Sequence, residues 1–167
     1  MHDELTKEDI KKIQEEIDYR NNVLAPQLRE EVSRTRAYGD TSENFEYRSA
    51  KRKLNQNYSR ISYLQRIIDT ATIIEPKKQK DVVSLYDKVT LFIEEKNKEM
   101  VVRFVTTIRQ DSLKMYISKE SPLGKACVGR KKGDRVYVKV NDTNGYYCTI
   151  VDVEPGEDDG SQGIMTY

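Results

Sequence analysis

Hydrophobic positions recur every three or four residues through the first part of this chain and every second residue after it. Ile10, Ile13 and Ile17, then Leu24, Leu28 and Val32, mark one stripe. Such spacing keeps apolar side chains on one face of an α-helix. Thr6-Lys7-Glu8-Asp9 reads as a helix start with Thr6 as N-cap. Pro26, preceded by Asn21-Asn22, interrupts the stripe. Proline lacks the N–H that a helix interior needs, so a kink or broken turn is predicted there. The second arm is more regular: Ala50, Leu54, Asn57, Ile61, Leu64, Ile68 and Ala71 alternate spacings of four and three. This is a coiled-coil seam whose one polar member, Asn57, can fix the register. Two such arms joined by a short turn pack antiparallel, as a helical hairpin.

The period switches after Glu75-Pro76-Lys77-Lys78-Gln79-Lys80, which reads as a linker. Residues 88–94, 100–107, 113–117, 135–140 and 146–153 are rich in Val, Ile, Thr and Tyr and read as strands. Residues 95–98 and 141–145 read as hairpin turns. Ser121 followed by Pro122 opens a short helix, with serine as cap and proline at the first position. From Pro155 on the chain is acidic and glycine-rich, and a disordered tail is expected. The predicted layout is a hairpin over 1–75, a linker over 76–82, a sheet domain over 83–154 and a tail over 155–167. The fold class is α+β: an antiparallel coiled-coil hairpin, then an antiparallel sheet domain with one short helix.

Composition fits this division. Charged residues make up 34% of the 167 positions and hydrophobic residues 37%. One large core is not expected at that balance; a long solvated helical element joined to a small domain is. Lys plus Arg number 29 against 28 acids, for a net charge of +1, which argues against a general nucleic-acid coat. No signal peptide or membrane-spanning run is seen, so a soluble, cytoplasmic chain that makes no membrane contact is expected. Cys127 and Cys148 lie far apart in apolar surroundings and read as buried free thiols. With His2 the sole histidine, neither a zinc site nor a histidine-based triad can be assembled.

The turn between the helical arms carries the chemistry. Gly39-Asp40-Thr41-Ser42-Glu43-Asn44-Phe45-Glu46-Tyr47-Arg48-Ser49-Ala50-Lys51 places two carboxylates, Asp40 and Glu43, at the end of a long thin rod. Spacing alone favours a plain reading: a capping box with Asp40 as N-cap and Glu43 three residues on, after Gly39 as a helix stop. The functional reading is that the acids are lent to another molecule's active site. Arg48, Lys51, Arg52 and Lys53 follow, with Arg34 and Arg36 on the incoming arm. They read either as a solvated face or as phosphate contacts. Tyr38 and Tyr47 flank the turn and are expected to pack it.

Two segments resemble the GreA/GreB transcript-cleavage factors of bacterial RNA polymerase. The family's tip pattern is matched at Gly39, Asp40, Ser42, Glu43, Asn44, Glu46, Tyr47, Ala50 and Lys51. A second pattern is matched at Ser121, Pro122, Leu123, Gly124, Ala126, Val128, Gly129, Gly133 and Asp134, with Cys127 and Arg130 in place of the usual Leu and Lys. The resemblance covers the chain up to Glu154.

The resemblance implies a monomeric factor whose hairpin enters the secondary channel of the polymerase. There, where the polymerase already holds one magnesium ion, Asp40 and Glu43 would help hold a second and orient the attacking water, and the polymerase then cleaves its own backtracked RNA. The chain would bind no cofactor in isolation and would be no enzyme by itself. Lys51, and more weakly Arg48, Arg52, Lys53 and Arg36, would contact the displaced RNA 3′ end. The sheet domain would be FKBP-like, with Ser121, Pro122, Leu123 and Gly124 on a polymerase-docking surface. Phe45 departs from the smaller residue common in the family and bears on how the tip fits. The alternative is a channel-binding homologue that inhibits without stimulating cleavage. An isomerase-like or adaptor module would explain the architecture but not both motifs.

Overall fold

Two stretches of chain fold on themselves in the computed structural model, which describes residues 3–39 and 44–166. One unit is built from Ile10–Ala71; the other joins Glu4–Asp9 to the chain from Thr72 onward. The sequence reading placed the boundary at 75/76 and gave residues 4–9 to the hairpin. Two short strands change that. β1 (Glu4–Leu5) pairs in parallel with β2 (Thr72–Ile73), and the backbone N–H of Ile74 donates to the Leu5 carbonyl at 2.8 Å. Strands of two residues have no period to read, so the pattern gave no sign of them.

The helical unit is the antiparallel hairpin predicted. α1 (Lys7–Tyr19) starts in the second unit and continues into this one. A π-helical segment (Arg20–Leu24) follows, then α2 (Ala25–Arg36) and α3 (Phe45–Thr70). α3 is 26 residues long, about 39 Å at 1.5 Å per residue. Ile13, Ile17, Ala25, Ala50, Leu64 and Ile67 are buried along the seam. Ile67 takes the buried place expected of Ile68, which is half-buried.

Pro26 does not break the helix. It stands in the first turn of α2, where a missing N–H costs least. The chain accommodates it one turn earlier by widening. In a continuous α-helix the proline ring would press on the Asn22 carbonyl. Instead the Ala25 N–H reaches back five residues to the Arg20 carbonyl. That carbonyl also accepts from Asn57 Nδ2 at 3.1 Å, while Arg20 Nη1 donates to Asn57 Oδ1 at 3.0 Å. Glu16 Oε2 accepts from both Arg20 Nε (3.0 Å) and Arg60 Nε (3.1 Å). The polar seam residue therefore fixes register, as its position predicted, by pairing with the widened turn.

The second unit holds a five-stranded sheet: β3 (Lys88–Ile93), β4 (Lys98–Val105), β5 (Tyr116–Ser118), β6 (Arg135–Lys139) and β7 (Gly145–Glu154), in spatial order β5-β4-β3-β7-β6. Alternate residues point inward: Val89, Leu91 and Ile93 from β3, Val102 and Phe104 from β4, Val136 and Val138 from β6, Cys148 and Ile150 from β7. α4 (Pro122–Cys127) adds Leu123 and Cys127 to the same core. The expectation of a purely antiparallel sheet is corrected at one edge, where β4 and β5 run parallel. Two 3₁₀ turns (Thr107–Arg109 and Ser112–Lys114) and a left-handed Met115 (φ 60°) carry the chain back. Leu113, placed in the strand by its pattern, lies in the second of these turns.

The tail is also corrected. Asp158, Gln162 and Met165 tie it to the domain, and the first two close over Arg109, whose side chain is 0% exposed. Its guanidinium meets Asp9 Oδ1 at 3.2 Å, donates from Nε to the Tyr86 hydroxyl at 3.1 Å, and is capped by the Asp158 carboxylate and the Gln162 carbonyl. Gln162 Nε2 returns a bond to the Arg109 carbonyl at 3.1 Å, and the Met165 N–H donates to Ile108. Asp9 is shared: its Oδ2 accepts from the Thr6 N–H at 2.9 Å, while its own N–H donates to Thr6 Oγ1 at 3.2 Å. This is a complete capping box at the start of α1, with Thr6 as the cap the sequence indicates. Burial pushes the Tyr86 phenol well above its usual range, so it stays a neutral partner to Arg109.

Candidate functional site at the hairpin tip

The tip is built where α2 stops and α3 starts. α2 ends at Arg36 with Ala37 as C-cap, and Gly39 follows with φ 132°, a conformation that side-chain-bearing residues rarely adopt. Asp40, Thr41, Ser42 and Glu43 lie outside the described residues. α3 begins at Phe45, and its N-cap is Asn44, not Asp40. Asn44 Oδ1 accepts from the Tyr47 N–H at 3.0 Å, and Asn44 Nδ2 donates to the Thr35 carbonyl at 2.7 Å. One side chain thus caps the outgoing helix and ties it to the last turn of the incoming one. The capping box read at Asp40–Glu43 lies outside the described residues.

Asn44 belongs to the tip motif, yet its spacing gave it no role, because the box pattern drew attention to Asp40 and Glu43. Asn44→Ala is expected to lower hairpin stability by about 1–2 kcal/mol through loss of the cap and the Thr35 bridge. Asn44→Asp keeps the acceptor and is expected to recover part of that loss. Urea unfolding followed by circular dichroism measures both.

The basic residues separate into three groups. Arg36 Nη2 donates to the Tyr47 hydroxyl at 3.2 Å, and both Arg36 and Lys51 stand over the Tyr47 ring, at 5.4 and 5.9 Å from its centre. The hydrogen bond from Arg36, aided by the positive charges of Arg36 and Lys51, holds the Tyr47 phenol below its usual range. Tyr47 thus binds the two arms together, the packing role expected of it. Arg48 and Arg52 lie one helical turn apart on an adjoining, exposed face of α3. Lys53 turns to the other side, into a groove with Arg34, Tyr38, Phe45 and Ser49. Arg34 is held there by Glu31 at 2.9 Å and by the Tyr38 hydroxyl at 2.9 Å.

The second motif is internal only in part. Ser121 Oγ accepts from the Gly124 N–H at 3.0 Å, capping α4, and Pro122 is exposed beside it. Leu123 and Gly124 are buried. Their expected place on a docking surface is corrected to a packing role, leaving Pro122 and half-buried Ser121 to face outward. A Cβ at Gly124 would sit 2.3 Å from the Ser118 carbonyl oxygen and 2.6 Å from that of Lys119. Both are backbone atoms and cannot step aside cheaply. Gly124→Ala is expected to cost about 1–3 kcal/mol, seen as a lower urea midpoint for the sheet domain.

Cys127 and Cys148 are buried and free, as their surroundings predicted. The Cys127 thiol is pushed far up, first by its hydrogen bond to Cys148 and then by burial, so it offers no reactive thiolate at neutral pH. Among the described residues no group of three or more His, Cys, Asp or Glu is placed to hold a metal ion. Among them, too, no helix is long and apolar enough to cross a membrane.

Comparison with known proteins agrees with this architecture. Residues 4–73 match the family model of the transcription elongation factor N-terminal domain of GreA and GreB, and residues 78–155 match that of their C-terminal domain. The chain belongs to the GreA/GreB family of transcription elongation factors. Transcription elongation factor GreA of Thermoanaerobacter pseudethanolicus is 37% identical over 137 residues, covering 81% of this chain and 87% of that protein. GreA of Caldanaerobacter subterraneus is 36% identical over the same shares. Among solved structures, GreA factor homolog 1 of Thermus thermophilus aligns with a TM-score of 0.42 at 20% identity, over 93% of this chain and 100% of that one.

Proposed function

We propose that this elongation factor inserts its hairpin tip into the secondary channel of bacterial RNA polymerase and stimulates cleavage of backtracked RNA. The observation that carries the reading is the Asn44 cap. Asn44 starts α3 and ties it to Thr35, so the cap of α3 does not depend on Asp40 or Glu43. That leaves the two acids free for the role which the family's tip pattern gives these positions.

Asp40 and Glu43 supply oxygen ligands of the kind magnesium prefers, and the polymerase and RNA complete the set. When bound, such an ion would activate the attacking water and help neutralise charge on the phosphate oxygens. Two carboxylates on a turn bind magnesium weakly alone, so the isolated chain is expected to cleave no RNA. Arg48 and Arg52, exposed on one face, and Lys51 beside Tyr47 neutralise phosphates of the displaced 3′ segment. Changing all three to alanine is expected to weaken stimulation and flatten its salt dependence, by about 0.7 in log–log slope per lost contact with single-stranded RNA. Pro122 and Ser121 remain the docking candidates of the sheet domain.

A second reading rests on Phe45, which is 72% exposed at the first position of α3. Bulk beside the acids suits a factor that occupies the channel without stimulating cleavage. Labelled protein titrated onto purified bacterial elongation complexes tests what both readings share. Saturable binding, competed by another channel-entering factor, is expected; no binding would sink both.

A further inference from the structure

Phe45, at the start of α3, and Tyr38, just past the end of α2, are 72% and 56% exposed. Both line one groove of about 350 Å³, together with Arg34, Ser49 and Lys53. A single exposed aromatic needs no explanation. Two on one groove, beside a lysine with no ion pair among the described residues, describe a ligand with a flat π face and a negative charge. The two carboxylates lining the groove do not cancel this. Glu31 is neutralised by Arg34 at 2.9 Å. Glu46 sits in the first turn of α3, where the helix's own N-terminal partial charge offsets it.

We infer that this groove holds the terminal nucleotide of a displaced RNA 3′ end, with its base stacked on Phe45 and its phosphate toward Lys53. The inference rests on the channel reading above and gives it a recognition element. A groove of this volume takes one nucleotide rather than a folded segment of protein. The geometry also sorts the tip's cations. Arg36 and Lys51 are engaged with Tyr47, and Arg48 and Arg52 lie on another face, so Lys53 is the cation that shares a surface with the exposed rings. Stacking on an aromatic side chain tolerates any base, because every base presents a π face. Phe45 would therefore strengthen binding to backtracked complexes whatever their sequence.

The test compares two elongation complexes backtracked by the same distance. In one the displaced 3′-terminal residue carries its base; in the other that residue is abasic. The full chain should bind the first about tenfold more tightly, read as the half-saturating concentration of fluorescently labelled protein. Phe45→Ala should bind both with the affinity the natural chain shows for the abasic end. Phe45→Trp should restore the preference. Equal binding of the natural chain to both complexes would overturn the inference. So would a loss in Phe45→Ala that is the same on both, since that would mean Phe45 touches the polymerase. A natural chain that binds neither complex overturns this inference together with the channel reading; binding without base preference overturns this one alone.

Discussion

Arg109→Met destabilises the sheet domain by about 3–5 kcal/mol, the cost of leaving buried charges without their partner. Arg109 joins elements that the sequence keeps far apart. Asp9 caps α1, Tyr86 precedes β3, and Asp158 and Gln162 come from the tail. Asp9, like Arg109, is 0% exposed. Removing the guanidinium strands the Asp9 carboxylate in the interior and releases the tail. Arg109→Lys does not rescue it, because an ammonium lacks the planar fork that reaches three directions. The triple change Arg109→Met, Asp9→Asn and Asp158→Asn is expected to recover most of the loss, since the penalty comes from unpaired charge rather than from the pair's net worth. Urea unfolding of the three variants measures these differences. A loss below about 1 kcal/mol for Arg109→Met would show that the tail does not seal this residue.

On the proposed cleavage reading, Asp40→Asn is expected to abolish stimulation, with a fall of at least about 100-fold, the size that losing an outer partner of a metal ligand alone can reach. Stability is expected to stay within about 0.5 kcal/mol of the natural chain, because Asn44 carries the cap of α3. Asparagine keeps the size of aspartate and one acceptor oxygen but not its charge. A carboxylate that holds magnesium is therefore separated from one that shapes the turn. Raising magnesium should restore part of the lost rate in Asp40→Asn, and likewise in Glu43→Gln. Initial cleavage rates across a magnesium series, with thermal melts of each variant, check both halves.

Much of this was legible in the sequence because local chemistry wrote it there. The Thr6–Asp9 box, the Ser121-Pro122 helix start and the alternation of β3, β6 and β7 are each decided by residues a few positions apart. Asn57 stood out as the polar member of an apolar seam, and it does set the register. Pro26 was legible as a disturbance but not as a π-turn, because the widened turn is paired with Asn57, which meets the Arg20 carbonyl from across the hairpin. The tail was misread for a similar reason. Its acidic, glycine-rich composition says disorder, and nothing local reveals a buried arginine waiting 49 residues upstream of Asp158. At the tip, two good caps competed. Asp40 had the glutamate partner three residues on and Asn44 did not, yet Asn44 is the one whose amide also reaches Thr35. The parallel β4–β5 pair was hidden because pattern gives a strand's existence and not its direction.

The most direct test of the central claim is the rate of cleavage of end-labelled RNA in purified, backtracked bacterial elongation complexes, with the natural chain and with Asp40→Asn at matched occupancy. The account predicts faster shortening of the RNA with the natural chain alone, and none with either protein when polymerase is absent. Full occupancy by the natural chain with no gain in cleavage would contradict it and leave the channel-blocking reading in its place.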